Sequence, residues 1–525
     1  MLAQISLGGL DYTAIGVYGI VIILIAAWCS RQQQSASDFL LAGRSMGWIV
    51  IGISQLASLL SAISYLGNPG EAYAHDLKLL IYTVCGFLVV PIVIYLFLDF
   101  FYRLNSVSIY EYLERRFNYP TRVLASAIFI AARLAWMATI VAACSVTLEV
   151  LTGLNPTMCI LVTAGFATAY TLVGGMKAII WTDVIQFFLF TLGLVAALVV
   201  IGQQDSLSSL QEIIVNDKKL RLWDFSFDPT TRLTFWMSIT AGLVAGLANM
   251  TDQVSMQRYL SAKSLREARK AVLLKPLLTI PITILTFLVG LSIYAHYQLH
   301  PELAAGLTRA DQAFPHLILH EFRGGLAGLI IAAIFAAAMS SIDSGIHTIS
   351  TVCIEDYYKR LIQPSVTDHH CLVLARLLTF VWGIVIAIVA LLFAGRGSIV
   401  EMMSSFVAPF FGCAVGIFIL GSATRRVTSW GAFSGALIGY TLVLWLKFCV
   451  YQADGQWYFL AFSNQFPNTE SVQQVSKFWF PFVSFSGTVL PGYLISLVLP
   501  PPPPEKLKGL NLWDKNQEPS TGPQT

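Results

Sequence analysis

Residues 336–344 read AAAMSSIDS inside an apolar run. Ser340 and Ser344 are four apart, Asp343 is three from Ser340, and His347 lies four beyond Asp343, so helical spacing puts them on one face. The small residues ahead of them let another backbone approach closely. Hydroxyls, together with carbonyls freed by local unwinding, form an oxygen cage suited to a hard cation such as sodium. Serines in membrane helices also bond their own i−4 carbonyl. An aspartate at that depth points to function by its cost alone.

A second ionisable group, Arg133, sits in the middle of IAARLAW (130–136). A charge at mid-bilayer costs about 2.5 kcal/mol or more on insertion scales, so the side chain must turn inward and meet an anion. A guanidinium holds a carboxylate by both oxygens. That anion is either a substrate carboxylate or a protein group such as Glu149 or Asp183. Two further stretches are unusually polar or glycine-rich for spans: ISQLASLLSAIS at 53–64 and GLVAGLANMTD at 242–252. They lie five spans apart. Paired interrupted helices at matching places in two halves point to an inverted-repeat transporter and its binding site, and small residues that pack helices together are the simpler reading.

The elements that position these groups are membrane helices. The chain is 56% hydrophobic and only 12% charged, against about 25% charged for a soluble domain. Apolar runs long enough to span begin near Tyr12, Gly47, Leu79, Arg122, Met158, Ile180, Leu233, Val272, Leu326, Leu372, Ile399, Val427 and Phe478, about thirteen in all. Met1 to Tyr12 lacks a basic region and a cleavage site, so the first run reads as a retained span. Arg31, Arg44, Arg103, Arg115, Arg116, Arg122, Lys177, Arg258, Lys263, Arg266, Arg269, Lys270, Lys359, Arg360, Arg425 and Arg426 all fall in loops on one side, which is therefore cytoplasmic. The N-terminus is then outside, and the proline-led tail from Pro500 is inside and disordered. The eight cysteines form no CxxC pair and suggest neither disulfides nor a zinc site. His316 and His320 have i,i+4 spacing but no acidic HExxH core, so they read as loop residues rather than zinc ligands. Gly242 and Gly246 read as a packing surface or hinge rather than a dimer motif. Glu401 falls at the external mouth, as a gate or a loop residue.

In order along the chain stand DFLLAGR (38–44), SAISYLG (61–67), YEYLERRFN (110–118), GGMKAIIWTDVIQ (174–186), QRYL (257–260) and the Ser340 stretch. Together they resemble the sodium:solute symporter family, which includes glucose, proline, iodide, monocarboxylate, multivitamin and bacterial sialic acid carriers. The likeness runs from about Asp38 to beyond Gly421. It implies an all-α polytopic membrane protein of about 13 helices whose core is two five-helix inverted repeats with discontinuous first helices, a LeuT-like core. The implied organisation is an extra span and loop (1–45), a first repeat (46–201), an extracellular loop (202–232), a second repeat (233–421), two C-terminal spans (422–499) and the tail (500–525).

By position, the resemblance implies sodium binding by the carbonyls of Ala57, Leu60 and Ala337 and the hydroxyls of Ser340 and Ser341. A second cation or proton site would use Asp183, Asp343 and Ser344, although Asp343 stands where several members carry a hydroxyl. Two buried carboxylates there would need a cation between them, a second sodium or a protonated His347, or one would hold a proton. Bacterial sialic acid carriers resemble the chain in the arginine at Arg133. The implied substrate set is Ser61, Ser64, Thr83, Arg133 and Asn249, with Ala62 and Thr83 departing from that pattern. No HExxH, GxSxG or P-loop appears, so the chain does not read as an enzyme. The expectation is a sodium-coupled symporter, a monomer in the plasma membrane, that imports a small carboxylate-bearing solute by alternating access, with no nucleic-acid partner. A sugar or polyol symporter and a transporter-like sensor are the alternatives.

Overall fold

Backbone in lipid must satisfy its hydrogen bonds within its own segment, so the apolar runs become helices. The computed structural model describes residues 8–31, 36–104, 106–172, 175–322, 324–393, 407–453, 456–460 and 472–513. Its principal helices are α1 (Gly9–Ser30), α2 (Trp48–Ala57), α3 (Asn68–Ala74), α4 (Lys78–Leu104), α5 (Tyr119–Thr152), α6 (Pro156–Thr171), α7 (Met176–Gln204), α8 (Phe235–Thr251), α9 (Gln253–Leu260), α10 (Leu265–Leu299), α11 (Leu326–Val352), α12 (Asp368–Phe393), α13 (Ala408–Ala423), α14 (Ser429–Cys449) and α15 (Phe480–Val498). Among the described residues, 9 helices are long and apolar enough to cross a membrane. The shorter apolar helices α2, α6, α8 and α13 occupy the other expected places. Ile399, Glu401 and Gly174 lie outside the described residues.

Local chemistry sets the helix ends. Asn118 caps α5 by accepting the Thr121 N–H at 3.0 Å, and Gly153, at φ 67°, closes it with its N–H on the Glu149 carbonyl. Both expected breaks are present. After Ala57 the chain unwinds before a π-helical turn, Ile63–Gly67, leads into α3. Between α8 and α9, Asp252 is extended at φ −99°, ψ 118°. Its carboxylate starts α9 by accepting the Ser255 N–H at 3.1 Å.

Burial sorts the helices. The most apolar stretch of α11 and its extension is 83% buried, whereas those of α1 and α12 are 22% buried. So α11 is central, and α1 and α12 present apolar faces outward; Leu377, Phe380, Ile384, Ile388 and Leu392 make one such stripe on α12. The broken helix α2 packs between α7 and α10, and α11 packs on α7 and α5. Helix α8 meets α4 at glycines: a Cβ at Gly246 would stand 2.1 Å from the Gly86 carbonyl oxygen, and one at Gly242 would stand 2.7 Å from the Tyr82 carbonyl oxygen. The GxxxG is thus a packing surface within the chain. Between α14 and α15 a small antiparallel sheet pairs Tyr451–Ala453 with Gln456–Tyr458 and with Gln473–Gln474.

Two expectations need correction. The segment after Pro500 is packed as far as Trp513: the Tyr112 hydroxyl donates to the Leu510 carbonyl at 3.1 Å, and the Leu512 N–H to Ser422 at 2.9 Å. Its leucines bury apolar surface that the proline run hid from a compositional reading. Arg116, Arg122 and Arg258, counted as loop charges, are buried.

Candidate functional site: a broken-helix cation cage beside a charged cavity

Unwinding at the end of α2 exposes carbonyls, and the serines of α11 meet them. Ser340 Oγ donates to the Ala57 carbonyl at 2.9 Å and to that of Ala337 at 3.1 Å. Ser341 Oγ donates to the Ser58 carbonyl at 2.9 Å. Ala57, Leu60, Ala337 and Ser340 line one small cavity of about 10 Å³ with Gln186, Phe187 and Phe190. That is room for one water-sized or ion-sized guest. The oxygens gathered here include the Ala57 and Ala337 carbonyls and the Ser340 hydroxyl, which need only rotate its proton away to present a lone pair. They fit a hard monovalent cation. Ser341 stands beside this cavity, its hydroxyl turned to Ser58.

Next to this cage is a fully buried ionic network. Asp183 of α7 accepts from Ser54 Oγ at 2.5 Å and from Arg258 Nη2 at 3.0 Å. Arg258 Nε also donates to Ser54 Oγ at 2.9 Å, and Nη2 reaches Ser344 Oγ. Asp343 Oδ1 accepts the Ser344 N–H at 2.5 Å and its hydroxyl at 3.1 Å. Of the residues the resemblance implies for a second site, Asp183 and Ser344 are bridged by the guanidinium of Arg258 on α9. His347, the other expected counter-cation, has its Nε2 3.1 Å from the Phe39 carbonyl. Gln55 Nε2 donates to Ser255 Oγ at 2.7 Å, so the two broken helices bond to each other directly.

The larger cavity, about 270 Å³, lies between α2–α3, α4, α5, α8–α9 and α10. Of the implied substrate set, Ser64, Thr83, Arg133 and Asn249 line it. Ser61 does not; its hydroxyl turns back to accept the Ile63 N–H at 3.1 Å and starts the π-helical turn. Arg133 grips Asp252 with both arms, Nε to Oδ1 at 3.0 Å and Nη2 to Oδ2 at 2.5 Å. Neither Glu149 nor Asp183 is its partner in this fork. Lys275, on α10, donates to Asn249 Oδ1 at 2.7 Å and lines the same cavity. Trp136, Phe87, Phe411 and Phe478 supply apolar walls.

The fold and sequence of this core have known counterparts. A model of the sodium:solute symporter family matches residues 39–439. The chain belongs to this family. A putative sodium-dependent multivitamin transporter of Drosophila melanogaster is 31% identical over 84% of the chain and 75% of its own length. Human sodium-coupled monocarboxylate transporter 2 is 30% identical over 79% of the chain and 68% of its own length. A Na+-coupled sialic acid symporter, solved substrate-bound in an outward-open state, superposes with a TM-score of 0.81 at 26% identity, covering 94% of this chain and 99% of that one. The protein is thus a multi-pass sodium-coupled symporter with the LeuT-like core of two five-helix inverted repeats.

Three residues of the two candidate sites are not among those the sequence singles out. Arg258 was counted as a loop charge because it follows a short polar stretch. Asp252 and Lys275 were passed over although each interrupts an apolar region. Applying to them the rule that singled out Arg133, that an ionisable group within a span must face the bundle interior, would have found both.

Proposed function

We propose that this symporter imports a small solute bearing one carboxylate, driven by sodium entering at Ala57, Leu60, Ala337, Ser340 and Ser341. One observation carries the substrate class. Two basic side chains, Arg133 and Lys275, line the cavity with a single carboxylate, Asp252. A monoanion brings that count to balance, and the aromatic walls suit the apolar body of an organic acid. Leu60 supports coupling, because it lines both the cation cage and the larger cavity. A cation that fixes the unwound segment against α11 thereby shapes the substrate's wall. Two ligands that prefer the same conformation are coupled, and the coupling is reciprocal. The membrane potential adds about 2.3 kcal/mol per charge per 100 mV.

In this reading the repeats are 46–201 and 233–421, the Lys/Arg-rich turns are cytoplasmic, the N-terminus is outside, and a monomer in the plasma membrane is the working unit. The decisive measurement is sodium-dependent thermal stabilisation of the purified protein by monocarboxylates, vitamins and sialic acids, each beside its amide. Carboxylates should stabilise the protein and their amides should not. Arg133→Lys keeps the charge and loses the fork, so it should weaken carboxylate binding at least about tenfold with expression intact. Equal affinity for acid and amide overturns the anion reading.

A second reading has its own support. Asp252 already satisfies both arms of Arg133, and Asn68, Asn249, Thr83, Thr279 and Thr283 offer neutral hydrogen-bond groups to the same cavity. These suit a sugar or polyol, and stabilisation by such solutes with none by acids would select it. A sensor would bind without transporting, which uptake into vesicles under an inward sodium gradient separates.

A further inference from the structure

At the ends of α7 and α10, away from both sites described above, three groups converge. Asp205 ends α7, its N–H donating to the Ile201 carbonyl at 3.0 Å. His296 and His300 stand one turn apart at the end of α10. His296 Nδ1 is 2.6 Å from Asp205 Oδ2, and His300 Nε2 is 2.9 Å from Oδ1. One ligand atom from each of the three lies within 4.8 Å of the others. This is the one such group of metal-ligating side chains among the described residues.

The outer nitrogens complete the pattern. His296 Nε2 is buried, has no hydrogen-bond partner, and lies 4.0 Å from Glu321 Oε1. His300 Nδ1 lies 3.8 Å from Glu302 Oε1. Each imidazole thus turns one nitrogen to a shared centre and the other toward a carboxylate. In metal-bound histidines a carboxylate hydrogen-bonded to the outer nitrogen fixes the ring and raises its basicity; Glu321 and Glu302, at 4.0 and 3.8 Å, stand just beyond that bond. A tetrahedral ion with bonds of about 2.0–2.1 Å holds its ligand atoms roughly 3.3–3.4 Å apart. The two contacts to Asp205 need to open by less than about 1 Å, and the two imidazole nitrogens, which lie within 4.8 Å of each other, need to settle at that spacing. His300 is 38% exposed, while Asp205 and His296 are 5% and 0% exposed. Solvent therefore reaches the centre from the His300 side and can supply a fourth ligand.

The geometry points to a binding site for one zinc-class divalent transition-metal ion, held by Asp205, His296 and His300. Two imidazoles and a carboxylate favour zinc, nickel or copper over magnesium and calcium. Three surrounding carboxylates supply the negative charge that a dication offsets. The ion would clamp the end of α7 to the end of α10, with Glu321 adding the end of the short helix Ala313–Glu321. These helices come from the two proposed repeats, so the clamp would slow a cycle that moves one repeat against the other. His316 and His320 are not part of it: His316 Nδ1 bonds the Tyr297 hydroxyl at 3.2 Å, and His320 Nδ1 lies 2.9 Å from the His316 carbonyl.

The test is calorimetric titration of the purified full chain with Zn2+ after chelation, with Co2+ absorption as a report on coordination and thermal unfolding as a check on folding. One ion per chain should bind and raise the unfolding temperature, and Mg2+ and Ca2+ should not. Asp205→Asn and the half-exposed His300→Asn should each lose saturable binding. Glu321→Gln should weaken it by about 10–100-fold, and His316→Gln should bind as the wild type does. Absence of saturable Zn2+ binding to the wild type overturns the site, leaving a plain hydrogen-bonded Asp–His cluster. Undiminished binding in both ligand variants also overturns it, since the ion would then sit elsewhere.

Discussion

Arg258 and Asp183 meet at 3.0 Å with both side chains fully buried, so an α9 cation is held against an α7 anion beside the cation cage. Such a pair is weak evidence of net stability, but losing one partner leaves a bare buried charge, at a cost of about 3–5 kcal/mol. Arg258→Met should therefore sharply lower the unfolding temperature and the surface yield. The double variant Arg258→Met, Asp183→Leu should recover much of the loss. A double variant as unstable as the single would mean that the residues do not act as a pair.

The same guanidinium bears on Asp343. Arg258 reaches both Asp183 and Ser344, so a cation already offsets the Asp183 charge beside Asp343. Asp343→Asn keeps a side-chain oxygen to accept the Ser344 N–H. The sodium Hill coefficient for uptake should not change in that variant. A fall toward one would restore the second-sodium assignment.

What the sequence made legible follows from distance along the chain. The Ser340–Asp343–Ser344 face and the two broken helices are local patterns, readable from spacing and composition. Which charge meets which is not local. Arg133 finds Asp252, 119 residues away, and Arg258 finds Asp183, 75 residues away. No single-segment pattern encodes those pairings. They follow from where the α8–α9 break sits in the bundle, with α9 lying against α2 and α11. Counting Arg258 among the loop charges failed for the same reason, since a polar stretch looks alike whether it lies in solvent or in a break between helices. Ser61 was right in type and wrong in direction, because the π-helical turn captures its hydroxyl.

The two serines of the cage should differ in weight. Ser340 lines the small cavity and bonds the Ala57 and Ala337 carbonyls, while Ser341 bonds Ser58. Alanine removes the oxygen with little change in packing. Ser340→Ala should raise the sodium concentration for half-maximal uptake at least about tenfold, the worth of one lost charge-assisted ligand. Ser341→Ala should raise it less, and the pair together most. Wild-type sodium dependence in the double variant would remove the cage from these residues.

His316 gives a pH dependence outside the spans. Burial, and then the neighbouring His320, push its imidazole down from 6.5 to about 4. The Tyr297 hydroxyl is its other close ionisable neighbour. Above pH 6.5 the ring is neutral folded or unfolded, and it contributes nothing to the balance. As pH falls from 6.5 toward 4 the unfolded chain takes up a proton that the folded ring refuses, so stability drops through that window. Thermal unfolding in chelator should fall more steeply from pH 6.5 to 4 in the wild type than in His316→Gln. Parallel curves would assign the acid loss to other groups.

Gly246 and Gly165 offer a matched pair that tests the α4–α8 contact. Both are helical glycines in apolar segments, and helix propensity alone favours alanine at each by up to about 1 kcal/mol. Their surroundings differ. A Cβ at Gly246 would stand 2.1 Å from the Gly86 carbonyl oxygen and 2.6 Å from Val89 Cγ2, whereas one at Gly165 meets nothing within 4 Å. The Gly86 carbonyl is backbone and cannot turn aside, so α8 must shift away from α4. Overpacking of this kind costs about 1–3 kcal/mol, and here it also displaces a wall of the proposed substrate cavity, which Gly86 and Gly246 both line. Gly246→Ala should lower the unfolding temperature and weaken substrate binding together. Gly165→Ala should leave binding unchanged and hold or slightly raise stability. If Gly246→Ala unfolds like the wild type and binds substrate equally well, the close approach of α8 to α4 is not the contact that shapes the cavity.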